Sequence, residues 1–152
     1  MSASFLERAI ECHKQDSFSE AERLYRLVLG NDPQNATALH MLGVICFKSR
    51  RLNAALKLLE SAIIVLPKSA EIFYDLGLCF FALGSYEKAL NNFSSALNLS
   101  PNFYAAELQK GITCKKLGLI KDARLYFHSF TQKAPRKPHG YLELGNLERE
   151  LG

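Results

Sequence analysis

Residues 70–101 read AEIFYDLGLCFFALGSYEKALNNFSSALNLSP, and the rest of the chain repeats their pattern. Two amphipathic segments flank Leu83-Gly84-Ser85. The first places Phe73, Leu76, Gly77 and Phe80 along one stripe, and the second does the same with Tyr86, Ala89, Phe93 and Ala96. Steps of three and four residues bring side chains to one face of a helix. Gly84 supplies a helix stop, and Ser100-Pro101 closes the second segment, because proline pushes its predecessor out of the helical region. The stretch predicts a helix hairpin with one buried seam.

Its landmarks recur every 34 residues. Pro101 belongs to the series Pro33, Pro67, Pro101 and Pro135. Gly77 belongs to Gly43, Gly77, Gly111 and Gly145, with Ala9 in the same slot of the first copy. Ala89 is matched by Ala21, Ala55 and Ala123, and Phe93 by Tyr25, Leu59 and Phe127. A 34-residue helix-turn-helix period with a small residue in each helix and a closing proline resembles the tetratricopeptide-repeat (TPR) family. The likeness covers essentially the whole chain, with repeats at about 2–35, 36–69, 70–103 and 104–137 and a C-terminal helix over 138–152. It departs from the family pattern at the first aromatic slot, where Leu39 and Glu107 stand, and the chain has no tryptophan. The resemblance implies an all-α fold: a right-handed superhelical solenoid of antiparallel hairpins, about nine helices in one domain.

Composition agrees with a folded domain. With 48% hydrophobic and 22% charged residues among 152, the chain is neither polar enough for wholesale disorder nor too short for a core. The longest apolar runs, such as Leu76 to Leu83 around Gly77, fall well short of a membrane span. Residues after Met1 lack the basic, apolar and cleavage-site order of a secretory signal, so the cytoplasm is the expected compartment. Of the four cysteines, Cys12, Cys46 and Cys114 share one slot and Cys79 sits beside it. Equivalent positions on stacked helices lie about 10 Å apart, too far for a disulfide, so buried free thiols are expected. No cysteine–histidine spacing of a zinc site appears.

The second helix of copy one begins Ser19-Glu20-Ala21-Glu22, with Ser19 the expected N-cap. Copy two carries Arg50-Arg51 where a glycine turn is common, and copy four turns at Leu117-Gly118. The final half-repeat ends on Leu151-Gly152, the Leu-Gly pair of copies three and four. Two readings are open: a polar cap, suited by Glu143, Glu148, Arg149 and Glu150, or the excised front of a longer protein.

In a stacked array the first helices line the concave surface. At about 100° per residue, the positions turned aside from the seam fall into layers. The upper layer is Leu6, His40, Tyr74 and Leu108, and the next is Ile10, Val44, Leu78 and Ile112. Below lie His13, Phe47, Phe81 and Lys115, flanked by Lys14, Lys48, Ala82 and Lys116. The middle is apolar and aromatic, which suits a peptide or helix of a partner protein docked in a groove. Partial burial of the same side chains against neighbouring first helices is the competing reading.

The net charge of +4 conceals an asymmetry. Between Lys110 and Lys137 only Asp122 is acidic, against eight basic residues, whereas the first 34 residues hold six acids and four bases. A basic flank beside an apolar groove would steer an acidic amphipathic ligand. Nucleic acid is disfavoured, because the bases are not interleaved with aromatic stacking platforms.

Known TPR uses can be checked by slot. The carboxylate-clamp slots hold Leu6, Ile10, Met41, Glu71 and Asp75, which lack the required Lys, Arg and Asn. The asparagine-ladder slots of TPR glycosyltransferases hold Glu7, Met41, Asp75, Gln109 and Glu143. The segment Ala38 to Val44 does resemble arrays that precede bacterial glycosyltransferase domains. No phosphate loop, nucleophile elbow or paired-carboxylate arrangement is present, and no cofactor or metal site is expected. His40 alone among the histidines is placed toward the groove, where it could tune binding with pH. The expectation is a non-catalytic protein–protein interaction scaffold. The alternatives are the recognition region of a larger enzyme such as a transferase, and an adaptor that self-associates through its C-terminal half-repeat.

Overall fold

The computed structural model describes residues 2–152, with side chains from residue 4 onward. The helices are α1 (Ser2–Lys14), α2 (Phe18–Asn31), α3 (Ala36–Lys48), α4 (Leu52–Val65), α5 (Ala70–Ala82), α6 (Tyr86–Leu99), α7 (Tyr104–Lys116), α8 (Ile120–Lys133) and α9 (His139–Leu151). No strand occurs among the described residues. First helices begin at 2, 36, 70 and 104, and second helices at 18, 52, 86 and 120, so the sequence period is the structural period. The chain divides into two compact units, Met1–Asp75 and Leu76–Gly152, with the boundary inside α5.

Each hairpin turns through the same backbone device. Asp16, Arg50, Gly84 and Gly118 occupy one slot and all take positive φ, at 56°, 61°, 77° and 75°. The following N–H reaches back to a carbonyl five residues earlier: Ser17 to Cys12, Arg51 to Cys46, Ser85 to Phe80 and Leu119 to Cys114, each at 2.9 Å. This is the bond that ends a helix on a left-handed residue. An arginine bears a steric cost there that glycine does not, so Arg50→Gly is expected to stabilise the fold by about 0.5–1 kcal/mol. Thermal melts of the two proteins check this, with the variant melting higher.

The turn also corrects the expected cap. Because the three-residue connection is fixed by that bond, α2 begins at Phe18 with Ser17 in the cap position, and Ser19 lies inside the helix. Ser17 makes no side-chain cap hydrogen bond. Side-chain acceptors serve α3 and α5 instead: Asn35 Oδ1 accepts from the Ala38 N–H at 3.0 Å, and Ser69 Oγ from the Ile72 N–H at 3.3 Å.

The seam is built from small residues facing large ones sixteen positions later. A Cβ added at Gly43 would meet Leu59 at 2.8 Å, at Gly77 Phe93 at 2.5 Å, and at Gly111 Phe127 at 2.6 Å. Leu59, Phe93 and Phe127 are fully buried, as is Tyr25 in the first copy. In the second unit Phe127 packs with Cys114, Ala123 and Leu147. All four cysteines are free thiols; Cys46, Cys79 and Cys114 are buried and Cys12 half-buried. Burial pushes the Cys46 and Cys114 thiols up, away from the reactive thiolate.

Both departures from the aromatic slot are accommodated. Leu39 is buried as an aromatic would be. Glu107 is also buried, and its Oε1 accepts from Ser129 Oγ at 2.6 Å and Lys133 Nζ at 3.1 Å, both on α8. A buried carboxylate without such donors would be strongly destabilising. The Arg50-Arg51 turn has a compensating role too. Arg51 donates through Nη1 and Nη2 to the two Glu22 oxygens at 2.9 and 2.7 Å, tying the start of α4 to α2. Together with Arg26, this fork holds the Glu22 carboxyl down at about 2.

Candidate functional site

In the first unit the face under consideration is carried by α1, α3 and the start of α5. Leu6, Ile10, His40, Val44, Phe47 and Tyr74 are all half-buried, neither sealed in the core nor left fully in water. His40 Nε2 lies 2.6 Å from Asp75 Oδ2, joining α3 to α5. Lys48 Nζ stands 4.6 Å above the Phe18 ring, and His13 meets Phe18 edge-on at 5.5 Å. Burial, reinforced by the Lys48 charge, pushes the His13 imidazole below its ordinary value, so it stays neutral near pH 7. Burial, and then the Asp75 charge, raises the Tyr74 phenol.

In the second unit Leu78, Phe81, Leu108, Ile112 and Lys115 are half-buried, and Lys116 is exposed. Leu108 and Ile112 pack partly against the cluster around Phe127, so they share their area between core and surface. Phe81 meets Tyr86 at the start of α6, centroids 5.2 Å apart. Lys115 Nζ is 2.9 Å from Glu150 Oε1 and 3.7 Å from Glu143 Oε2, both on α9. These three side chains, with Ile112 and Lys116, line an open cleft of about 420 Å³.

The basic flank is therefore less free than its charge count implies. Lys115 is shared between two acids, Arg124 pairs with Glu148 at 3.0 Å, and Lys133 is taken by Glu107. Lys110 lies over the Tyr126 ring at 4.6 Å. The neighbours that neutralise these bases were passed over in the sequence, although a signal exists. His40–Asp75 and Lys115–Glu150 are each 35 residues apart, one period plus one residue, which is the step between adjacent first helices.

A second surface was also missed. Ile64 is 80% exposed, Val65 37% and Leu66 47%, at the end of α4. The Ile64 slot holds Gly30, Asn98 and Gln132 in the other copies, so its apolar character is peculiar to copy two. Among the described residues no cluster of three or more His, Cys, Asp or Glu is placed to hold a metal, and no helix is long and apolar enough to cross a membrane.

Residues 14–96, more than half of the chain, match the family described as anaphase-promoting complex, cyclosome, subunit 3, whose repeats are of the TPR type. The chain belongs to this family. Its TPR fold is shared with the crystal structure of MamA, which is 23% identical, with a TM-score of 0.87 over 95% of this chain and 84% of that one. It is shared equally with YrrB, described as a TPR protein with an unusual peptide-binding site, which is 21% identical, with a TM-score of 0.85 over 99% of this chain and 77% of YrrB. Among sequences, the UDP-N-acetylglucosamine–peptide N-acetylglucosaminyltransferase of Giardia intestinalis is 25% identical over 135 residues. That match covers 89% of this chain and 9% of the transferase.

Proposed function

We propose that this TPR array is a protein-interaction scaffold in which the first-helix face of each unit takes an amphipathic peptide or helix of a partner protein. One observation carries the reading. Ile10, Val44, Leu78 and Ile112 repeat an aliphatic side chain at one slot, and each stays half-buried. Half-buried aliphatic side chains aligned at one slot leave apolar area on this face for a partner. The peptide-binding description of YrrB supports the same use of the fold. The occupant is selected by its apolar side. Because Glu143 and Glu150 face Lys115, acidity adds less than the basic count suggests.

The test is a peptide selected from a displayed library against the wild-type protein. In the variant combining Tyr74→Ala and Leu78→Ala, its affinity is expected to fall about tenfold or more, a loss of ~1.4 kcal/mol. Stability is expected to fall by only about 1–2 kcal/mol, as for partly buried side chains. Ile64→Ala, on the exposed patch of α4, serves as control. Unchanged affinity in the double variant, or a loss with Ile64→Ala, would overturn the assignment.

A second reading is supported by the likeness to the Giardia transferase: this array is the recognition region of a larger enzyme. Sequencing the native reading frame past Gly152 decides it, since a catalytic domain in frame is required.

A further inference from the structure

One polar pair is set into the apolar face of the first unit. His40 of α3 and Asp75 of α5 meet there, Nε2 and Oδ2 lying 2.6 Å apart, with side chains 14% and 22% exposed. An ionised carboxylate only accepts, so the imidazole N–H is the donor. Oδ2 is thereby taken. Oδ1 receives no hydrogen bond among the described residues, and no Lys or Arg there pairs with Asp75. The surrounding helices supply no cation either. Glu22 of α2 is itself held by Arg26 and Arg51, and α4 meets α3 at Gly43 through Leu59 and Ala55. Lys48, on α3 itself, lies over the Phe18 ring. From α1, Glu7 is an exposed carboxylate in the slot of Asp75, and His13 opposes the charge of His40 but is kept neutral near pH 7 by burial. Beside Asp75 on α5 stands the Tyr74 phenol, whose proton is held more tightly than usual.

Docking turns this charge into a filter. An occupant laid over Ile10, Val44 and Tyr74 strips solvent from Asp75, and a carboxylate oxygen left there unpaired is costly. A lysine or arginine on the occupant replaces the lost solvent with a charge-assisted hydrogen bond. We infer that Asp75, oriented by His40, selects an occupant carrying a Lys or Arg among its apolar residues, and that protonation of His40 weakens the selection. With the imidazole neutral the pair carries one negative charge, and with it protonated the pair carries none. The inference rests on the first-helix face being the docking surface, as proposed above. Its sign is opposite to the one suggested by the lysines between 110 and 137, because the first unit's face carries its own carboxylate.

The probe is a peptide selected from a displayed library on the full 152-residue chain at about pH 8, synthesised with blocked ends and free of His, Asp and Glu. The whole pool recovered on the wild type is expected to be richer in Lys and Arg than the pool recovered on Asp75→Asn, which keeps the shape and still accepts from His40. In fluorescence anisotropy, Asp75→Asn and replacement of the peptide's cation by Met are each expected to weaken binding about fivefold or more. Together they should cost hardly more than either alone, because both remove one contact. Wild-type affinity is expected to fall about threefold or more from about pH 8 to pH 5, where imidazoles gain charge. Asp75→Asn and His40→Gln should both flatten that dependence. The variant combining Ile10→Ala and Val44→Ala reports whether the peptide is seated on the face. A peptide weakened by that variant but showing no coupling to Asp75, or weakened by Asp75→Asn equally with and without its cation, would overturn this inference alone. A peptide indifferent to Ile10→Ala with Val44→Ala would overturn the docking face and this inference with it.

Discussion

Phe127→Ala is expected to destabilise the protein by about 3–5 kcal/mol, lowering the melting midpoint by on the order of 10 °C. The ring is fully buried and lies in the cluster with Cys114, Ala123 and Leu147. Its edge also fills the space left by Gly111. Three elements, α7, α8 and α9, thus lose a common contact at once, and the α7–α8 backbones, joined by their hairpin turn, limit how far the cavity can collapse. In a stacked array each hairpin contacts only its neighbours, so the loss should also uncouple the end of the chain from the rest. Hydrogen exchange is expected to show α9 opening well before α6. A melting midpoint within about 2 °C of wild type would mean that the seam contributes little.

Gly77→Leu should be nearly as damaging, for the opposite reason. The added Cβ alone falls 2.5–2.9 Å from three ring atoms of Phe93. Phe93 is fully buried and cannot swing away. Overpacking of this kind costs about 1–3 kcal/mol for small insertions, and a leucine inserts four carbons. Higher helix propensity returns only about 0.5–1 kcal/mol. The matched change Gly145→Leu carries the same propensity gain with nothing in the way, so it should raise the melting midpoint slightly. Opposite signs from one substitution at one repeat slot are the signature of a knob present beside Gly77 and absent beside Gly145. Equal destabilisation by both would show that the glycines serve some other purpose.

The architecture was largely readable from the chain, because a 34-residue period fixes helix starts, turns and seam together. Where periodicity was silent, chemistry had to be seen in place. Ser19 looks like a cap by residue type, yet the bond from the Ser17 N–H to the Cys12 carbonyl sets the helix start one residue before it. Glu107 looks like a break in the pattern, and only the positions of Ser129 and Lys133 on α8 explain its burial. Rotation about a helix axis put the candidate groove positions on one face, and the structure leaves Ile10, Val44, Leu78 and Ile112 half-buried. Charge was the least readable property. Counting lysines between 110 and 137 gave a basic flank, but the acids that meet Lys115 and Arg124 come from α9, beyond the counted stretch. The exposed apolar group at Ile64 was hidden for a related reason, since attention to what the copies share passes over what one copy alone carries.

The most direct measurement is methyl NMR of the protein titrated with the selected peptide. Expected are shift changes at the methyl groups of Ile10, Val44, Leu78 and Ile112, with those of Ile64 and Val65 unmoved. Perturbations confined to Ile64, Val65 and Leu66, with the first-helix methyls silent, would contradict a partner seated on the first-helix face.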